Sequence, residues 1–346
     1  MLESVAATDT DRLGAELRTL REACGLLDRS ERGKLALSGA GAVEFLNGQV
    51  TNELSGLQPG EGRYAAFLTH KGKMLGDLRI LAVGTPGAAP SGDPDAEAGA
   101  AKAPSELLLD TERVALQELF DMIRRFKVGY DVELHKRTLE RGLLSLIGPD
   151  ADRVAGVELA TQEHANAPTE LDGIAALAIR TDVGIDLLCD AADSERMRKA
   201  LLERGAQAVS EAAAECVRIE LGRPRFGVEI DETTIPQEAG LNERAVSFTK
   251  GCYVGQETVA RLHWKGKPNR HLRGLRLSAP TMAGEELRLG ERVVGNVGSF
   301  ALSPEHGPIA LALVRREAEP GARIAVGEHG NEALVVELPF AATAAD

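Results

Sequence analysis

Hydrophobic residues at Leu13, Leu17, Leu20, Cys24 and Leu27 recur in steps of four and three. That spacing lays one apolar stripe along a helix of about 17 residues, ending near Gly25–Asp28, with Cys24 on the stripe as a small buried hydrophobe. Beyond it the period shortens. Lys34–Ser38 reads as a strand, Gly39–Gly41 as a turn, and Ala42–Asn47 as a short helix. Two strand-like runs follow, Arg63–Leu68 and Met74–Val83, joined by Thr69–Lys73. Residues 85–105 are rich in Ala, Gly and Pro without periodicity and read as a surface insertion. Leu107–Leu109 resumes the strands, and Asp110 or Thr111 is placed to cap a helix whose Leu116, Leu119, Phe120, Ile123 and Phe126 face inward.

From about Asp131 to Ser210 strands and helices alternate. Leu143–Ile147 is a strand, Ile174–Arg180 and Ile185–Cys189 form a hairpin, and Ala191–Arg204 is a helix. A small sheet with helices on one face, resembling a split β-α-β unit, fits this order. Ser210 caps a further helix through Glu220, closed by Gly222 and Pro224. After Arg273 short strands punctuated by glycines predict a small β-barrel.

The chain has 346 residues, enough for two or three domains. With 40 basic and 53 acidic residues its net charge is −13, which disfavours whole-molecule attraction to nucleic acid or to an anionic membrane. No apolar run reaches the ~18 residues a membrane span needs. The four cysteines lie far apart without ligand spacing, which fits free thiols in a reducing cytoplasm. Ser38-Gly39-Ala40-Gly41 lacks the third glycine of a dinucleotide-binding turn.

Functional residue types are densest in Val246–Arg270. An isolated cysteine is ordinarily inert packing. Cys252, however, sits between Gly251 and Tyr253, with Gly255 beyond and Lys250 and Arg261 as cationic neighbours. Cations and a helix N-terminus both favour thiolate, which makes Cys252 a candidate reactive thiol whose loop is shaped by Lys250, Gln256 and Glu257. Arg261, Lys265, Lys267, Arg270 and Arg273 form a local basic stretch, either a solvated linker or an anion-binding face.

Lys250–Glu257, KGCYVGQE, resembles the hallmark of the YgfZ family, folate-binding proteins of iron–sulfur cluster maturation related to the glycine cleavage T-protein (aminomethyltransferase). Gly48–Asn52 (GQVTN), Lys71–Lys73, Arg218-Ile219-Glu220 with Gly222, Ile235–Glu238 and Gly295–Ser299 extend that resemblance over nearly the whole chain. It implies an α+β fold of three domains in a cloverleaf. A discontinuous folate-binding domain would span 1–130 and 211–268, a ferredoxin-like domain 131–210, and a β-barrel 269–346. It also implies tetrahydrofolate or a derivative as cofactor. Glu220 would hold the pterin in bidentate fashion, Asn52 and Tyr64 would line the cavity, and Arg261 would meet the glutamyl tail.

The expected function is then an accessory factor, not a conventional enzyme, that assembles or repairs iron–sulfur clusters, with support of tRNA thiomodification. Its partners would be iron–sulfur client enzymes or cluster carriers, without direct nucleic-acid or membrane binding. The alternative is folate-dependent aminomethyl transfer. Against it, the stretch matching the T-protein's N-A-x-x-x-x-K-D is Asp110–Gln117, which lacks the lysine–aspartate pair, so the acid–base carboxylate is missing there. T-protein members also lack the cysteine of KGCYVGQE. A nucleic-acid-binding role for the basic stretch is a third reading, which the acidic total charge opposes.

Overall fold

The computed structural model describes residues 2–84, 104–328 and 330–341; most of the expected 85–105 insertion lies outside them. In chain order the elements are α1 (Leu2–Glu22), β1 (Gly25–Asp28), β2 (Gly33–Ser38), α2 (Ala42–Asn47), β3 (Gly62–Leu68), β4 (Met74–Val83), β5 (Glu106–Thr111), α3 (Leu116–Phe126) and β6 (Glu133–Lys136). Then come β7 (Arg141–Ile147), α4 (Ala151–Ala155), β8 (Asn166–Leu171), β9 (Ile174–Arg180), β10 (Gly184–Asp190), α5 (Ser194–Glu203), β11 (Gln207–Ala208), α6 (Glu211–Glu220), α7 (Asn242–Ala245) and α8 (Gln256–Lys265). The last six strands are β12 (Arg270–Leu277), β13 (Glu286–Leu289), β14 (Arg292–Ser303), β15 (Gly307–Arg315), β16 (Arg323–Val326) and β17 (Asn331–Val336).

These strands make an α+β molecule of two open sheets and a barrel. The first sheet runs β3-β4-β5-β2-β6 and the second β11-β1-β7-β10-β9-β8. All neighbours are antiparallel except β1 with β11. The last six strands close as β12-β15-β14-β13-β16-β17, with β17 paired back onto β12. Sheet membership crosses the expected boundaries at both ends: β1 joins the second sheet, and β6 joins the first.

Each sheet buries two different faces. One face of the second sheet carries Leu144, Leu146, Ile185 and Leu187 against Ala151 and Val154 of α4 and Met197 and Leu201 of α5. Its other face, through Leu143, Leu177, Ile179 and Leu188, meets Leu81 of the first sheet. The helix α6 is wedged between α1 and the barrel, where Leu17, Leu20, Ala213, Cys216, Ile219, Ile309 and Leu311 form one core. The two sheets and α6 thus surround a common interior.

Several local expectations change. Steric and pairing constraints end α1 at Glu22; Leu27 then lies in β1, because Gly25–Asp28 find partners on β7. Neither Asp110 nor Thr111 caps α3. Both complete β5, a short 3-10 turn at Arg113–Ala115 intervenes, and the Thr111 hydroxyl instead donates to the Asp77 carbonyl at 2.5 Å. Leu119 and Ile123 are fully buried as expected, whereas Phe126 at the end of α3 is exposed. Ser210 does cap α6, its Oγ accepting from the Ala213 N–H. No helix among the described residues is long and apolar enough to cross a membrane.

Candidate functional site

The motifs singled out in sequence converge, and what they build first is a backbone lock. Lys250 is buried, and its ammonium donates to the carbonyls of Asn47 (2.7 Å), Val50 (3.0 Å) and Asn52 (2.6 Å) and to Asn47 Oδ1 (2.9 Å). One lysine therefore gathers the carbonyls of Asn47, Val50 and Asn52, in and beyond the turn that ends α2. The Val254 N–H donates to the Gly48 carbonyl, the Ser247 N–H to Thr51, and the Thr51 hydroxyl to Ala245. Gly255, at φ +84°, caps α8 where the chain touches the 71–73 hairpin. A Cβ there would stand 2.5 Å from the Thr69 carbonyl oxygen, so only glycine fits. Cys252 is exposed at the rim of this lock, Glu257 is exposed in the first turn of α8, and Gln256 reaches back to the Gly251 carbonyl at 3.4 Å.

The largest concentration of buried charge lies elsewhere, between the two sheets. Alternation along β4 puts Asp77, Arg79 and Leu81 on one face. Leu81 meets the second sheet through apolar packing, while Asp77 and Arg79 meet it as charges. Arg79 donates to Asp110 Oδ2 and Asp186 Oδ2, each at 2.6 Å, and Arg32 donates to Asp110 Oδ1 at 2.8 Å and to Glu112. Burial opposes the charge on Asp110, but the two guanidiniums outweigh it and hold its pKa at about 2.

Asp77 is different. It is buried, its one side-chain partner among the described residues is the Tyr64 hydroxyl, which donates to Oδ2 at 2.6 Å, and burial pushes its pKa up to about 6. The nearby Glu112 and Asp110 add to that rise, while Tyr64 and Arg32 oppose it. Arg244 covers the Tyr64 ring, its guanidinium carbon 5.2 Å from the centroid, and pairs with Glu163.

Asp77, Tyr64, Arg32, Arg79 and Arg244 line a cavity of about 200 Å³, together with His164, the Thr181–Val183 turn, and Val217, Arg218 and Leu221 of α6 and its end. Its wall combines one carboxylate that can change protonation near neutral pH, a tyrosine, and several arginines. Such a set can bind an anionic ligand with a polar heterocyclic edge and move a proton beside it. Among the described residues no group of three or more His, Cys, Asp or Glu could hold a metal ion.

Of the residues expected from sequence, Tyr64 lines this cavity and Asn52 supports it from behind, its Nδ2 donating to the carbonyls of Tyr64 (2.8 Å) and Arg244 (3.2 Å). Glu220 sits apart. It accepts from Arg21 (2.7 Å) and from the Ser303 hydroxyl (2.6 Å), and with His306 and Phe340 lines an adjoining chamber that shares the Thr181–Val183 turn, Val217 and Leu221 with the first. Arg261 is exposed on α8, and Cys252, Lys250, Gln256 and Glu257 lie in the lock; none of the five lines the cavity. Two members of the basic stretch are neutralised, Arg270 by Glu238 and Arg273 by Glu337. Sequence reasoning missed Asp77, Arg79, Arg244 and His164. The first two carried a signal: Asp77 and Arg79 interrupt an otherwise apolar ten-residue strand, and a charge on a buried strand demands a partner. Arg244 and His164 carried none.

Residues 6–86 match the GCVT N-terminal domain. The aminomethyltransferase of Streptomyces avermitilis is 30% identical to this chain over 97% of it and 94% of the relative. That of Rubrobacter xylanophilus is 29% identical over 94% and 85%. In Arabidopsis thaliana a putative chloroplastic transferase is 26% identical over 92% and 71%. The crystal structure of glycine cleavage system aminomethyltransferase T from Bartonella henselae superposes with a TM-score of 0.80 at 24% identity, covering 95% of this chain and 89% of that one, which bears out the three-part fold. These likenesses overturn the expected accessory role in iron–sulfur cluster maturation. Curated aminomethyltransferases match nearly end to end, so the likeness runs to the alternative.

Proposed function

The chain belongs to the aminomethyltransferase family, and on that premise we propose that it is a folate-dependent aminomethyltransferase of the glycine cleavage type. The observation that carries this reading is Asp77, a buried carboxylate with a pKa of about 6 beside Tyr64 in the cavity between the sheets. The absent lysine–aspartate pair had left the chemistry without an acid–base group; Asp77 offers one from a different strand.

Tetrahydrofolate suits this donor set. Its polar ring edge matches Asp77 and Tyr64, and its anionic tail would meet the arginine-bearing wall by displacing Glu163 from Arg244. When bound, it supplies the amine that accepts the one-carbon unit of an aminomethyl donor, with release of ammonia. Asp77 takes up or returns a proton at Oδ1 or Oδ2 near neutral pH, which a carboxylate at its ordinary pKa does poorly. Tyr64 holds that carboxylate by donating to Oδ2, and Arg244 covers the ring of Tyr64 and keeps it from turning. Arg32 and Arg79 are committed to Asp110 and Asp186, so they shape the field at Asp77 without neutralising it directly.

The Lys250–Glu257 stretch supports a YgfZ-like branch within this family. A cytoplasmic setting suits the four free thiols. The test is turnover by purified protein. With an aminomethyl donor and tetrahydrofolate, ammonia release should depend on folate, and Asp77→Asn should slow it by roughly 10²–10⁴-fold while leaving the protein folded. Folate-independent release, or an Asp77→Asn variant as fast as wild type, would sink the assignment.

A further inference from the structure

His164 is the residue of the cavity wall that the structure leaves unexplained. It is 6% exposed, yet neither ring nitrogen has a hydrogen-bond partner among the described residues. Glu163 Oε1 comes within 3.5 Å of Nε2, but that carboxylate is committed to Arg244. The ring of Tyr64 lies 6.3 Å away, centroid to centroid, and forms the adjoining wall.

The backbone there is held against its preference. His164 has φ +71°, one of two non-glycine residues among those described with positive φ. Bonds from two strands of the second sheet, β9 and β8, enforce it. Its N–H donates to the Arg180 carbonyl at 2.9 Å, and its own carbonyl accepts from Asn166 Nδ2 at 3.2 Å. Asn166 in turn reaches the Glu61 carbonyl, and its N–H donates to Gly60. On the other side β3 presents Gly62, where a Cβ would fall 2.7 Å from His164 Cβ, so any larger residue would push the histidine out. Strain maintained from two elements, around a buried polar ring with nothing to bond, marks a ligand contact more than a packing choice.

We propose that His164 is a specificity-determining residue of this cavity, offering one ring N–H and one bare ring nitrogen to a planar nitrogen heterocycle that presents a matching acceptor and donor. This rests on the folate reading, and identifies the pterin end, not the glutamyl tail, as what the imidazole recognises. Burial first, then the neighbouring Arg79 and Arg244, hold the imidazole pKa at about 3, so the ring is neutral and keeps one donor and one acceptor.

The experiment uses two probes, folinate, which carries the reduced ring system, and p-aminobenzoylglutamate, which carries only the tail. Calorimetric titration of wild type, His164→Phe and His164→Gln is paired with thermal melts without ligand. Phenylalanine should weaken folinate binding roughly tenfold to a hundredfold, glutamine should restore most of it, and tail binding should be alike in all three. Without ligand, His164→Phe should melt at or above wild type, since two unbonded nitrogens are gone.

Folinate affinity unchanged in His164→Phe overturns the assignment while the folate reading stands. Equal losses for both probes with a lower melting temperature overturn it too, in favour of a structural role. Wild type that binds no folinate removes the proposed function and this inference together. Should His164→Phe fail to fold, imidazole nitrogen NMR on wild type decides: both His164 nitrogens must shift on folinate binding, and resonances that stay in place overturn the proposal.

Discussion

Asp77 and Asp110 lie on adjacent strands, Asp110 opposite Arg79 and so two positions along from Asp77, and behave in opposite ways. Asp110 lies between two guanidiniums and stays ionised. Asp77 has a tyrosine for a partner and is raised. The sign of the stability effect follows. Its folded pKa of about 6 exceeds the ordinary 3.8, so the native state binds the proton more tightly than the unfolded chain does. Stability therefore falls as pH rises between about 4 and about 6, and above that window a constant penalty of roughly 3 kcal/mol remains. Asp77→Asn removes the charge but keeps an acceptor for Tyr64. Its gain over wild type in urea denaturation should be near zero at the acid end of the window and largest above it. A gain of the same size at both ends would show that the carboxylate is not the source.

At the scale of elements, the KGCYVGQE loop and the GQVTN turn are one object. Four oxygens converge on the Lys250 ammonium, three of them main-chain carbonyls, and no other side chain could serve all of them from that position. Lys250→Met keeps the length and apolar stem but leaves those oxygens buried without a donor, at a cost of about 3 kcal/mol. Chemical denaturation should show a lower midpoint with an unchanged slope. A midpoint within error of wild type would mean that the loop relaxes to water, and the lock is not one. The same geometry explains why a motif so dense in reactive residue types contributes nothing to the cavity wall: its glycines allow backbone contact with the 71–73 hairpin, and its lysine is consumed inside.

For the molecule as a whole, α6 is the axle between three bodies. Arg218, held by Glu215 of the same helix, joins it to Glu229 beyond the helix and to Ser299 of the barrel, and Glu220 joins it to Arg21 of α1 and Ser303 of the barrel. Two residues of one helical turn thus tie down the barrel and the first helix, while Val217 and Leu221 face the cavity. Glu220→Gln should lower the melting temperature, by a loss on the order of 1–2 kcal/mol, and leave folinate affinity unchanged. If folinate affinity fell while the melting temperature held, Glu220 would be the pterin ligand that its motif implies, and the cavity assignment would have to move to the second chamber.

The sequence by itself determined most of the elements, though not β1 or β6, and the family resemblance supplied the fold. Period-four leucines, strand alternation and glycine spacing are local, and Ala42–Asn47, Met74–Val83, Ile174–Arg180 and the barrel follow from them because each element's burial is written in its own residues. The motifs also pointed to the aminomethyltransferase relatives, while the accessory role drawn from the KGCYVGQE hallmark is the reading those relatives overturn. Which of their side chains line the cavity could not be read this way, since Cys252, Arg261 and Glu220 have plausible chemistry in sequence and are placed outside it only by the packing of α8, the loop before it, and α6. Asp77 and His164 lie 87 positions apart and meet because two sheets stack face to face. A pKa set by burial, and a ring left without partners, exist only once that stacking has excluded water.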